Sequence, residues 1–224
     1  MVTSMATLTV LCAAVAGAQV ASTVSVSGQV AILERPGETT EDLGNVVVFL
    51  EPMGASARPQ GPTNTVIALD KRQFSPRVRV ITEGSKIEFP NQDPFSHNVF
   101  SKVNGGFDTQ TYGRGKTRDH TFTTAGVYTL YCNVHPRMTA FVIALNTPHF
   151  TQAANDGRFT LEAVPPGQYK LHVWHDRTTE VVKTLTVPAQ GLRNLREALD
   201  ARGYKYVQHK NKLGQVYAAS GDRY

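Results

Sequence analysis

Cys132, His135 and Met138 stand within seven residues of one another, in the run Tyr131-Cys132-Asn133-Val134-His135-Pro136-Arg137-Met138. His97 lies upstream, in Phe95-Ser96-His97-Asn98-Val99. One thiolate, two imidazoles and one thioether suit a single copper ion. Soft sulfur favours Cu(I), imidazole serves both oxidation states, and a weak axial thioether tunes the potential between them. The expectation is a plane of Cys132, His97 and His135, with Met138 on the axis at longer range. The spacing Cys-x2-His-x2-Met puts three donors on one tight loop at a strand end. His97 must come from a neighbouring strand, so the site closes only when the sheet folds.

Other chemistries lack their ligands. Structural zinc takes four Cys or His donors, and this loop has one Cys. No Cys-x-x-Cys pair is present for haem attachment or thiol redox work. A cysteine nucleophile needs a base and an oxyanion hole, and would leave His97 and Met138 unexplained. The His-x-His and His-Cys-His runs of multicopper enzymes do not occur. The expectation is therefore a metal carrier of electrons rather than an enzyme.

The elements that must position these residues read as strands. Thr23–Ser27, Arg77–Val80 and Tyr169–Trp174 alternate with period two. Val46-Val47-Val48-Phe49-Leu50 is a continuous apolar run, and Gly, Pro, Asn and Asp clusters punctuate the chain at short intervals, as in a sandwich. Residues 53–64 read as a linker.

Several motifs between Thr65 and Leu145 resemble the cupredoxin family. Phe74-Ser75-Pro76 with Val78, Val80 and Gly84 looks like its early strand pair. Ile87-Glu88-Phe89-Pro90-Asn91-Gln92-Asp93 leads into His97-Asn98-Val99, and Phe122, Gly126, Tyr128 and Tyr131 lead into Cys132. The short loop with Pro136 after His135 is most similar to that of amicyanins. The resemblance implies a Greek-key β-sandwich, one type 1 copper ion held by His97, Cys132, His135 and Met138, and Asn98 tying the two ligand segments together.

The flanks resemble each other's missing half. Val26-Ser27-Gly28-Gln29-Val30 with Val46–Leu50, and Asp156-Gly157-Arg158-Phe159-Thr160-Leu161 with Val164-Pro165-Pro166-Gly167-Gln168-Tyr169, are similar to the two parts of a carboxypeptidase-regulatory-like, transthyretin-type sandwich. Neither flank alone has enough strands to bury a core. The fold expected is all-β, with a cupredoxin sandwich (60–148) inserted into a discontinuous second sandwich (19–56 plus 150–189). A single enlarged cupredoxin is the alternative. Leu192, Leu195 and Leu199 recur at spacings of three and four, so residues 191–202 are expected to form a short amphipathic helix ending at Gly203. This helix opens a basic tail, 190–224. His172 and His175, three apart on a strand, should point to opposite faces. His120, His149 and His209 have no ligand-like neighbours.

Leu8–Ala18 is an apolar run with small residues before Gln19, and reads as the core of a signal peptide, 1–18. It is too short for a comfortable membrane span. Its removal would take Cys12 with it and leave Cys132 as the single thiol. The chain is thus expected to be periplasmic or secreted. The net charge of +5 is uneven: residues 19–51 carry −4, residues 52–145 carry +5 and residues 190–224 carry +4. The excess is scattered and not interleaved with aromatics, which excludes a nucleic-acid reading and favours encounter with an acidic redox protein. A c-type cytochrome or a dehydrogenase is the kind of partner the cupredoxin resemblance implies. Single-electron shuttling is the function expected. A copper carrier or store, and an interaction module with a relic site, are the rivals.

Overall fold

We describe a computed structural model, in which residues 22–54 and 61–217 are described. The expected signal peptide and the middle of the linker lie outside the described residues. Among the described residues, regular structure is strand throughout, apart from one 3-10 turn at Leu43–Asn45.

Two sheets come from the flanks. One orders Arg158–Val164, Val24–Leu33 and Leu192–Asp200; the other orders Phe150–Gln152, Val47–Pro52, Gly167–Trp174 and Val181–Val187. Their facing side chains form one core, with Val26, Val30, Phe159, Leu161 and Leu199 on one side and Val48, Leu50, Leu171 and Val173 on the other. The central segment forms a five-stranded sheet, Val78–Thr82, Thr139–Leu145, Gly126–Tyr131, Phe100–Ser101 and Phe107–Asp108. It also forms a three-stranded sheet of Thr117–Thr121, Lys86–Pro90 and Asn64–Val66. A second core of Ile67, Leu69, Ile87, Phe89, Phe122, Leu130 and Val142 fills the space between them.

The two inner sheets also pack back to back. Val47, Phe49, Phe150 and Trp174 meet Val78, Val80, Phe141, Ile143 and Leu145 in a third cluster. This explains the continuous apolar run Val46–Leu50 and a similar one at Phe141–Leu145. In Val46–Leu50, Val48 and Leu50 face the first core while Val47 and Phe49 face the third cluster. In Phe141–Leu145, Val142 and Ala144 face the second core while Phe141, Ile143 and Leu145 face the third. A strand buried on both faces has no polar side, so alternation disappears. Arg77 bolts this junction, donating to both carboxylate oxygens of Asp176 at 2.9 and 2.7 Å.

The expected C-terminal helix is instead the strand Leu192–Asp200, paired in parallel with Val24–Leu33. The register advances from Val26↔Leu192 to Gly28↔Leu195, so one extra residue is inserted. Asn194 takes it up at φ 61°. This bulge puts Leu192 and Leu195 on one face, and Leu199 follows after an even step. Spacings of three and four thus arise in a strand. Gly28 sits opposite the bulge, where an added Cβ would lie 2.4 Å from the Leu195 carbonyl oxygen. The unpaired edge of Val24–Leu33 decides the outcome, because it offers a ladder and a core face that an isolated three-turn helix lacks.

Candidate metal centre

His97 is held by a scaffold built from the run before it. The Asn91 amide donates to the carbonyls of Phe95 (2.9 Å) and Tyr112 (3.0 Å), and the Asp93 N–H donates to Asn91 Oδ1 at 3.0 Å. His97 and Tyr112 exchange backbone hydrogen bonds of 3.1 and 2.8 Å. The Asp93 carboxylate accepts from the backbone N–H groups of Lys71 (2.7 Å) and Arg72 (2.9 Å), and it meets His97 Nε2 at 2.7 Å. A carboxylate only accepts, so Nε2 carries the ring proton and donates. Nδ1 is left with its lone pair.

That lone pair points at the other donors. His97 Nδ1 lies 3.0 Å from His135 Nδ1 and 3.5 Å from Cys132 Sγ, and Cys132 Sγ lies 3.6 Å from His135 Nδ1. His97, Cys132 and His135 form the one metal-competent cluster of His, Cys, Asp and Glu among the described residues. Met138 is buried in the same core cluster as Cys132. It closes the loop through its backbone: Cys132 N–H donates to Met138 O at 3.2 Å and Met138 N–H to His135 O at 3.0 Å. Asn98, also buried, accepts from the Asn133 N–H at 2.7 Å and donates to Asp108 at 3.0 Å. It thereby ties the His97 segment to the loop.

The electrostatics fit a soft cation. Burial pushes the Cys132 thiol above its ordinary value, although the backbone N–H groups of Asn98, Val134 and His135 are directed at the sulfur and pull the other way. Three donors around one sulfur serve a thiolate, and a buried thiolate needs a cation beside it. Burial pulls His97 below the ordinary histidine value, which Asp93 only partly opposes, so the imidazole is neutral and can coordinate. Burial also works against ionisation of Asp93, but the Arg72 N–H, the His97 ring and the Lys71 N–H outweigh it and hold the carboxyl below its usual range.

The two histidines differ in access. His97 is fully buried, whereas His135 is half-buried and lines a groove of about 650 Å³ with Lys71, Arg72, Arg77, Arg137 and Pro136. Phe95 packs 5.2 Å from the His97 ring and 5.3 Å from the His135 ring, beneath the Arg72 guanidinium at 5.1 Å. Asp93 and Phe95 were not among the expected site residues, though Asn-Gln-Asp four residues before a histidine was a signal for the carboxylate. His120, His172 and His175 lie elsewhere. His172 stacks on Phe49 at 4.3 Å and bonds Glu180, while His175 is buried near Asp42. His120 stacks on Phe107 at 3.8 Å.

Two imidazoles and a thiol converging at the end of a β-sandwich define a copper-binding domain. Residues 63–145 match the family described as copper binding proteins, plastocyanin/azurin family. No curated protein matches the chain. Among solved structures, a purple cupredoxin from Nitrosopumilus maritimus is similar, at 26% identity and a TM-score of 0.33, over 36% of this chain and 99% of that one. A reduced amicyanin variant is 21% identical with a TM-score of 0.35, over 37% of this chain and 82% of its own. A copper-containing nitrite reductase from Thermus scotoductus is 23% identical with a TM-score of 0.35, over 52% of this chain and 28% of its own.

Proposed function

We propose that this protein is an exported, mononuclear type 1 copper protein that shuttles single electrons between redox proteins and catalyses no reaction of its own. The observation that carries this reading is the convergence of His97 Nδ1, His135 Nδ1 and Cys132 Sγ, with Asp93 fixing the His97 tautomer from behind. Bound copper would supply a reversible Cu(II)/Cu(I) couple. His97, Cys132, His135 and Met138 would hold it, and Asn98 would keep the loop in register.

The residues divide the work. Asp93 orients His97, as a hydrogen-bonded carboxylate does for a metal-bound imidazole. The second core excludes water from Cys132, and the strand ladder holds the donors in one geometry for both oxidation states. Electrons would pass at the His135 edge, where the half-buried ring meets the groove. Lys71, Arg72 and Arg137 on its rim favour an acidic partner surface, of the kind a c-type cytochrome or a dehydrogenase presents. The separate cores support a division into a copper domain, residues 60–148, and a transthyretin-like sandwich from 19–56 and 150–189. A buried thiol at Cys132, the one cysteine among the described residues, fits a periplasmic or secreted location in which a metal occupies it.

Titration of the protein with Cu(II) tests the reading. One equivalent should bind, with an intense visible charge-transfer band and a reversible one-electron wave in voltammetry. Cys132→Ser should abolish the band while the strand signature in circular dichroism stays. A band that survives this change, or copper binding without a reversible wave, would remove the shuttle.

A further inference from the structure

The chain after Tyr204 contains no helix or strand among the described residues, yet residues 209–217 make contact with the ligand loop. The contacts are directional. The Tyr217 hydroxyl donates to the Cys132 carbonyl at 2.9 Å. The Lys212 backbone N–H donates to Asn133 Oδ1 at 2.8 Å. Its ammonium reaches Asp108 at 2.6 Å, and this carboxylate also accepts from Asn98. The tip is shaped by Asn211, whose Oδ1 accepts from the N–H groups of Leu213 and Gln215, both at 2.9 Å. The His209 ring packs 4.6 Å from Tyr131, the residue before Cys132, and Tyr217 stands edge-on to His209 at 5.4 Å.

Asn133 is therefore gripped twice. Asn98 holds its backbone N–H from inside the domain, and Lys212 holds its side chain from outside. The apolar side chains of this segment do not contribute. Val207, Leu213 and Val216 are 81%, 75% and 75% exposed. A segment held by a few hydrogen bonds, one stack and one ion pair, without apolar burial, belongs to the part of a protein that opens at low cost.

We propose that residues 205–217 are an intrachain strap on the copper loop, with Tyr217 and Lys212 as positioning residues that hold Cys132 and Asn133 in place. The strap contacts Cys132 and Asn133 and reaches the His135 backbone through His209, while the His135 ring lines the basic groove. Electron exchange at His135 does not require the strap to move. Opening of the loop, and with it metal exchange, does. The consequence for copper rests on the function proposed above; the consequence for the loop does not.

Full-length protein, Tyr217→Phe and the double variant Tyr217→Phe/Lys212→Ala test this in two states. In the copper-loaded state, transfer of Cu(I) to excess bicinchoninate is timed. Tyr217→Phe keeps the ring and removes the hydroxyl, and should speed release roughly five-fold, the worth of one neutral hydrogen bond. The double variant should reach roughly ten-fold, because a partly exposed ion pair adds little. In the metal-free state, alkylation of the buried Cys132 by N-ethylmaleimide, scored on the Cys132 peptide so that Cys12 does not count, should follow the same order. Added salt should speed both processes in the full-length protein and change the double variant less, since it screens the Lys212–Asp108 pair. Equal rates in all three proteins overturn the strap. A full-length protein that takes up no copper overturns the functional reading instead, and the alkylation rates then decide the strap alone.

Discussion

His97 and His175 are both fully buried, and both face a carboxylate. Around His97 the carboxylate accepts a hydrogen bond from Nε2–H and leaves the opposite nitrogen aimed at a second imidazole and a thiol. Around His175 the acids are spent on arginines. Arg177 donates to Glu34 at 3.0 and 2.7 Å and to Asp42 at 3.0 and 2.8 Å. Asp176, also near His175, is taken by Arg77. In the first cluster two imidazole nitrogens and a sulfur converge on one another. In the second the acids already have guanidinium partners. A buried histidine beside an acid therefore does not define a metal site; several donor atoms converging on one point do.

The comparison breaks most visibly at Arg177. Arg177→Met would leave Glu34 and Asp42 without their cation, and should cost the flanking sandwich about 3 kcal/mol, the low end for a pair that keeps some solvent access. The thermal midpoint, read by fluorescence of the single tryptophan, Trp174, should fall, while the copper band should hold its position and intensity. A shifted copper band would mean that the two clusters are coupled.

A change at the corresponding acid of the other cluster should weaken the metal. Asp93→Asn keeps an acceptor for His97 Nε2 but loses the charge that orients and polarises the ring. Copper affinity should drop by about 10- to 100-fold, measured by chelator competition. Unchanged affinity would reduce Asp93 to a packing residue.

Acid should expose the smallest difference. Hydrogen bonds from Arg177 hold the Glu34 carboxyl below its usual range against a smaller cost of burial. For Asp42 burial is the largest influence and opposes ionisation, yet Arg177 and His175 together still hold it low. Burial lowers His175, only partly opposed by Asp176 and Asp42, with Arg177 and Arg77 adding to the lowering. All three groups bind protons more weakly in the fold than in the unfolded chain. Their stability is present above the ordinary values and is lost as pH falls through them, from about 6.5 for the histidine to below about 4 for the acids. The Trp174-detected midpoint should decline steadily over that range, and more gently in Arg177→Met. A midpoint that rises on acidification would contradict the assignment.

Much of the site was legible because its chemistry is local. Cys132, His135 and Met138 share one loop, and few metals want one thiolate with imidazoles and a thioether. His97 was legible through the Asn91–Asn98 run that carries it. Asp93 sat in that same run, but its role depends on a ring nitrogen whose direction no spacing reveals. The strap was not legible, because residues 205–217 have no period and their partners lie about 80 to 100 residues away. The strand Leu192–Asp200 was misread as a helix because a bulge at Asn194 imitates helical spacing.

The sequence by itself determined the candidate donors, the predominance of strands and the apolar run Val46–Leu50, since these follow from residue type and from contacts between near neighbours. Tertiary structure decided which edge captured Leu192–Asp200, which face of each apolar run met which core, which acids were spent on arginines, and how the C-terminal segment lies against the copper loop. Those outcomes depend on unpaired edges, buried charges and hydrogen-bond partners that exist only once distant segments have been brought together.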